Sequence, residues 1–151
     1  MKTRFSAIPL IIVILFLSSC SAGQVIVPTL TPAPTSTSPL RYDGLYQSVE
    51  AEQGYFEYLR FYDDGTVLEV VSSGTPEQVA VWLNKAGTDE GMGYYEIQDS
   101  TIKFTVTYTQ GAVDYTGTIN GEKLILDIYS HINSHKGTRT FQFVEVPNIQ
   151  P

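Results

Sequence analysis

Beyond residue 40 the chain alternates. Ile102, Phe104, Val106 and Tyr108 occupy every second position of one stretch, with Lys103, Thr105 and Thr107 between them. That period puts the apolar set on one face of a strand and the polar set on the other. Similar runs occur at 42–48, 55–62, 66–72, 94–97, 113–119, 124–128 and 138–146. Between them stand turn signals: Asp63-Asp64-Gly65, Asp99-Ser100, Gln110-Gly111 and Asn120-Gly121, the last a strong hairpin dipeptide. The pattern predicts about eight short strands joined by hairpins. One helix interrupts them, over about 76–85. Thr75 and Gln78 form a capping box, Pro76 suits the first helical position, and Ala86-Gly87 ends the run. Val79, Trp82 and Leu83 fall on one face of it, so a lid over one end of a barrel, plugged by Trp82, is the expectation. Consecutive hairpins with one apolar face per strand close into an up-and-down antiparallel barrel without exposed edges. Eight strands leave an interior just filled by side chains, or able to hold one small ligand.

The start of the chain obeys a different pattern. Lys2 and Arg4 precede an apolar run from Phe5 to Leu17, and Leu17-Ser18-Ser19-Cys20 follows. A charged start, a short apolar run and a small-residue cleavage site describe a secretory signal. The run is short for a bilayer crossing. The four residues Leu17-Ser18-Ser19-Cys20 resemble the lipobox of bacterial lipoproteins. That resemblance implies cleavage before Cys20, a diacylglyceryl thioether on its sulfur, and residence at the cell membrane with the domain on the extracytoplasmic side. An uncleaved anchor running on through Val27, or ordinary cleavage leaving a free thiol, remains open. From Ser21 to Leu40, prolines 28, 32, 34 and 39 punctuate a Thr/Ser-rich stretch. Proline removes backbone donors and holds its neighbours extended, so this segment reads as a spacer of up to about 50–60 Å. The expected organisation is a signal peptide over 1–19, lipidated Cys20 with its tether over 20–40, and one domain over 41–151.

Charge and cysteine usage narrow the partners. The formal net charge is −7, with 16 acidic against 9 basic residues, so nucleic acid is not an expected partner. Cys20 is the single cysteine, and no internal disulfide is available to the domain. Its stability must come from a core in which 7 Phe and 10 Tyr are available. A monomeric domain with no resident cofactor is expected.

Few residues carry candidate chemistry. His131 and His135 are four apart, but Asn133, Ser134 and Gly137 point to a loop, where that spacing sets no metal geometry. No nucleophile elbow of the Gly-x-Ser-x-Gly type and no phosphate-cradling glycine loop occurs. Arg60 lies in an aromatic strand on the side of Phe56, Tyr58 and Tyr62. Facing outward it is a surface charge stacked on tyrosines; facing inward it needs a carboxylate such as Glu69 or Glu96, or an anionic ligand. Leu59 and Phe61 claim the core, which favours outward.

Residues 58–67 (Tyr-Leu-Arg-Phe-Tyr-Asp-Asp-Gly-Thr-Val) and 130–138 (Ser-His-Ile-Asn-Ser-His-Lys-Gly-Thr) resemble the lipocalin-like (calycin) domains of bacterial lipoproteins. The likeness spans roughly 41–146. Gly44-Leu45-Tyr46 stands where lipocalins carry Gly-x-Trp. What it implies is an all-β, eight-stranded lipocalin-like barrel, with ligand binding as the commonest use of the fold. The resulting expectation is a non-catalytic binding module for a small apolar or amphipathic ligand, held by residues drawn from Arg60, Trp82, Tyr94, Tyr115, His131 and His135. An interaction module for an envelope protein, with a filled barrel, is the alternative. A metal-dependent or hydrolytic enzyme using His131 and His135 is a more distant one.

Overall fold

In the computed structural model the described residues are 40–86 and 91–149. Cys20, the lipobox and residues 21–39 of the tether lie outside them. The order is β1 (Gly44–Ser48), β2 (Phe56–Phe61), β3 (Thr66–Ser72), α1 (Pro76–Trp82), β4 (Gly91–Gln98), β5 (Thr101–Tyr108), β6 (Gly111–Asn120), β7 (Lys123–Ser130) and β8 (Lys136–Glu145). Every strand pairs antiparallel with its sequence neighbour, and β8 returns to β1, closing the barrel. This is the eight-stranded lipocalin-like architecture expected from the alternation. The turns use the residues that signalled them: Asp64 accepts from the Thr66 amide at 3.0 Å, while Gly65 and Gly121 take φ of +87° and +61°.

Pleat parity assigns the interior. Leu59 and Phe61 of β2 share it with Val67, Ile102, Phe104, Val106, Leu124 and Phe141. Phe61 meets Tyr46, Tyr95 and Phe104 edge-to-face, at centroid distances of 5.5, 5.2 and 5.6 Å. Phe104 lies stacked on Tyr115 at 4.6 Å. These rings fill the end of the barrel where β1 begins and β8 ends. Leu40, expected in the tether, is 4 % exposed and belongs to this core. Next to it Arg41 reaches Asp43, Glu122 and Glu145 and stands over the Phe143 ring, joining three segments around the same end. Two inward positions of β4 are glycine because neighbours occupy the space. A Cβ on Gly91 would come within 2.5 Å of the Tyr108 ring, and one on Gly93 within 1.9 Å of the Thr105 carbonyl oxygen.

The first three strands are buried on both faces, because α1 covers their outside. Val79, Ala80 and Leu83 pack on Leu45, Tyr58, Leu68, Val70 and Val146, forming a second core outside the barrel. The capping box forms as expected: the Thr75 amide donates to Gln78 Oε1 at 2.9 Å, and the Gln78 amide donates to Thr75 Oγ1 at 3.4 Å. The lid expectation is corrected. Trp82 is 42 % exposed and plugs nothing, because Val79, Ala80 and Leu83 form the packing stripe and leave Trp82 at its solvent edge. The helix also ends three residues earlier than predicted. Leu83 leaves helical geometry at ψ 79°, and its carbonyl accepts from the Arg60 guanidinium at 2.7 Å.

Arg60 therefore faces out of the barrel, as parity favoured, but it is 2 % exposed rather than a surface charge. Its guanidinium stacks over Tyr62 at 4.7 Å beneath the helix C-terminus, and burial lowers its pKa. The partial negative charge of the last helical carbonyls suits a cation there. Leu83→Ala should cost about 2–5 kcal/mol of unfolding free energy, whereas Trp82→Ala should change it by less than about 0.5 kcal/mol. Urea unfolding measures both. A larger loss at Trp82 would restore the plug.

Candidate functional site

The barrel has an aromatic end and a polar end. At the polar end, Glu57 of β2 and Glu69 of β3 follow the inward parity of Leu59 and Val67, and each is 4 % exposed. Tyr115 of β6 enters from the opposite wall, its ring held by the stack on Phe104. Its hydroxyl lies 2.9 Å from Glu57 Oε1 and 2.7 Å from Glu69 Oε2. Arg139 of β8 donates from Nη1 to Glu57 Oε2, and its Nη2 lies 3.6 Å from the exposed Glu52 carboxylate. The Tyr108 hydroxyl of β5 also hydrogen-bonds Glu69. The Glu57 amide donates to Ser48 Oγ at 3.0 Å, fixing the strand beneath the cluster.

Proton counting decides the state of this set. A phenol carries one hydrogen. Two ionised carboxylates within 3 Å of one phenolic oxygen would leave an acceptor facing an acceptor, so one carboxyl holds a proton. Arg139 pairs with Glu57, which makes Glu57 the carboxylate and Glu69 the acid. The Glu69 hydroxyl donates to Tyr115, and Tyr115 donates to Glu57. Burial, and next the Glu57 charge, push the Glu69 carboxyl up to about 7. Burial raises Glu57 as well, opposed by Arg139 and the Tyr115 hydroxyl. Burial and the two neighbouring carboxylates raise Tyr115.

The strands reach solvent at the end that holds this cluster. Val71 continues the inward row of Val67 and Glu69, yet it is 58 % exposed. Arg139, 29 % exposed, stands at the rim. It lies beyond Phe141, the last β8 residue paired with β1, so its side chain reaches across the short strand to Glu57 on β2. Glu57, Glu69 and Tyr115 are buried, and Arg139 and Val71 carry this end of the barrel out to solvent.

The residues expected to hold a ligand do not converge. Tyr115 is in the cluster. Tyr94 faces outward from β4 and is 70 % exposed, and Trp82 lies on the helix, so the three rings do not face a common space inside the barrel. Arg60 is sealed under the helix. His131 Nε2 lies 2.6 Å from Asp114 Oδ2, with its ring edge-on to Tyr129. That pairing holds the Asp114 pKa down, helped by Thr105. The His135 amide donates to Asn133 Oδ1 within the β7–β8 loop. Among the described residues no group of three or more His, Cys, Asp or Glu side chains is placed to hold a metal. Two open grooves of about 520 and 560 Å³ run along the outer face, the first between Asp127, Tyr129 and Thr138 and the second between Tyr94, Lys103 and Asp114.

Glu57 and Arg139 went unrecognised in the sequence reading, and Glu69 entered it only as a partner for Arg60. The signal was parity: a charged residue in step with Leu59 and Phe61, or with Phe141 and Phe143, points into a barrel.

No protein-family model and no curated protein matches the chain. Among solved structures, it is similar to the fatty-acid-binding protein isolated from Manduca sexta, with 11 % identity over 68 % of this chain and 99 % of that one, at a TM-score of 0.38. A likeness that loose transfers no ligand and no site, and the barrel rests on its own strand pairing.

The shared proton has a consequence for stability. Glu69 titrates at 4.5 when unperturbed and at about 7 in the barrel, so between those values the folded chain keeps a proton that the unfolded chain has lost. The contribution is complete below pH 4.5, declines as pH rises to about 7, and is level above. The loss amounts to about 3 kcal/mol. Unfolding free energies across this range should show that decline in the native chain and a much flatter profile in Glu69→Gln. An equally steep profile in the variant would remove Glu69 as its source.

Proposed function

We propose that the domain is a non-catalytic binding module, lipid-anchored at Cys20 to the outside of a bacterial cell membrane, that takes a small amphipathic ligand at the polar end of its barrel. The observation carrying this reading is the set of Glu57, Glu69, Tyr115 and Arg139, joined by hydrogen bonds and an ion pair inside the barrel next to the exposed Val71. Charged groups in a core are expensive to desolvate, and apolar replacements of similar volume are often more stable. A barrel needing only to fold would be served by aliphatic side chains there. The ligand's polar group meets Arg139 and the carboxylates, and its apolar part lies on Val71 and the neighbouring rim. The anchor and the extracytoplasmic address rest on the lipobox pattern and the proline-rich spacer that follows it.

A second reading, an interaction module for an envelope protein, draws on the ring-filled end of the barrel and the grooves beside the exposed Tyr94 on the outer face.

Two measurements separate these readings. Calorimetric titration with dodecanoate and with dodecylamine should give a micromolar dissociation constant for one of them, about 8 kcal/mol of binding. Arg139→Gln should shift that constant by about tenfold. Heat absent with both probes would sink the small-ligand reading and leave the interaction module. Separately, metabolic labelling with a radiolabelled fatty acid should mark the native chain and not Cys20→Ala; equal labelling would dispose of the anchor.

A further inference from the structure

Arg139 has partners on two sides. Nη1 reaches inward to the buried Glu57, and Nη2 reaches outward to Glu52 on the β1–β2 loop. Glu52 and Tyr55 hold that loop by mutual backbone hydrogen bonds of 2.9 Å, across a turn in which Gln53 and Gly54 take φ of 52° and 83°. At its near end the Val49 amide donates to the Thr140 carbonyl at 2.8 Å, one residue from Arg139. The loop also carries Val49 and Tyr55, which are 57 % and 51 % exposed.

We propose that the proton shared by Glu57, Tyr115 and Glu69 decides whether Arg139 clamps the β1–β2 loop beside the polar end: the loop is held while the proton is present and released when it leaves. The argument is charge balance. With the proton on Glu69, the interior holds one carboxylate, and a single guanidinium satisfies it with a nitrogen to spare for Glu52. Without it, two carboxylates face each other across the Tyr115 hydroxyl in a site where charges interact strongly. Tyr108 of β5, Tyr115 of β6, Arg139 of β8 and Glu52 of the β1–β2 loop are the titratable groups that act on them, with Ser48 of β1 as a neutral neighbour and glycine at the inward positions 91 and 93 of β4. Arg139 is the cation of this set. Its pair with Glu52, whose side chain is 79 % exposed, is weak and screened, so the guanidinium moves toward Glu69 and gives up the loop. The titration of Glu69 near neutrality sets the pH at which this happens. This switch does not depend on what the barrel binds.

Deuterium exchange of the full chain tests it, with rates corrected for the intrinsic effect of pH. In the native chain, residues 49–55 should exchange about threefold faster at about pH 8.5 than at about pH 5.5, while the β5–β6 ladder stays unchanged. In Glu69→Gln the loop should be protected equally at both pH values, and in Arg139→Gln it should be fast at both. Loop protection independent of pH in the native chain, or a rise that persists in Glu69→Gln, overturns the proposal. So does an equal rise in the β5–β6 ladder, which signals global opening instead. If a variant fails to fold, carbon-13 carboxyl resonances of the native chain decide: the Glu69 titration and the loop transition must share a midpoint within about one pH unit.

Discussion

The pairing of β8 with β1 is the constraint on which the rest depends. Once Gly44–Ser48 lies along 141–145, no strand has a free edge, and pleat parity assigns every side chain to the inside or the outside. Because β1 is short, this closure is incomplete at one end. Beyond the pair Ser48 and Phe141 there is no β1 residue beside β8, and Arg139 spans the gap to β2. Closure thus produces both the ring-packed end and the end where charges meet.

The two ends represent different solutions to filling a narrow barrel. At one, aromatic rings meet edge-to-face around Phe61, and Leu40 and Arg41 complete the packing. At the other, Glu57, Glu69 and Tyr115 occupy inward positions, with glycine at 91 and 93 leaving room for Tyr108 and Val106. A buried carboxylate is tolerated there because every partner is supplied: a guanidinium for Glu57, a phenol between the two acids, and one retained proton. The Phe104–Tyr115 stack links the two ends, since the ring that helps fill the aromatic half carries the hydroxyl that organises the polar half.

Outside the barrel, α1 changes what the first strands have to be. Strands β2 and β3 are buried on both faces, so Tyr58, Leu68 and Val70 are as thoroughly covered as Leu59 and Val67. Their sequence is apolar on both parities for that reason. Arg60 resolves the same way: it faces away from the interior and is covered by the helix, whose terminal carbonyl it binds. Parity alone distinguishes inside from outside, and it does not distinguish outside from exposed.

Features set by neighbours along the chain are legible in the amino-acid order. Strand period, turn dipeptides and the Thr75–Gln78 capping box are local, and they specified eight strands, their hairpin order and the helix start, within a residue or two in most cases. The polar cluster instead joins groups far apart in sequence: Glu57 and Arg139 are 82 positions apart, and Glu69 and Tyr115 are 46 apart. No local pattern says that four such side chains share one proton and one cation, or that Trp82 misses the packing face while Leu83 caps Arg60. Closure brings them together, and solvation then settles which of them carries charge.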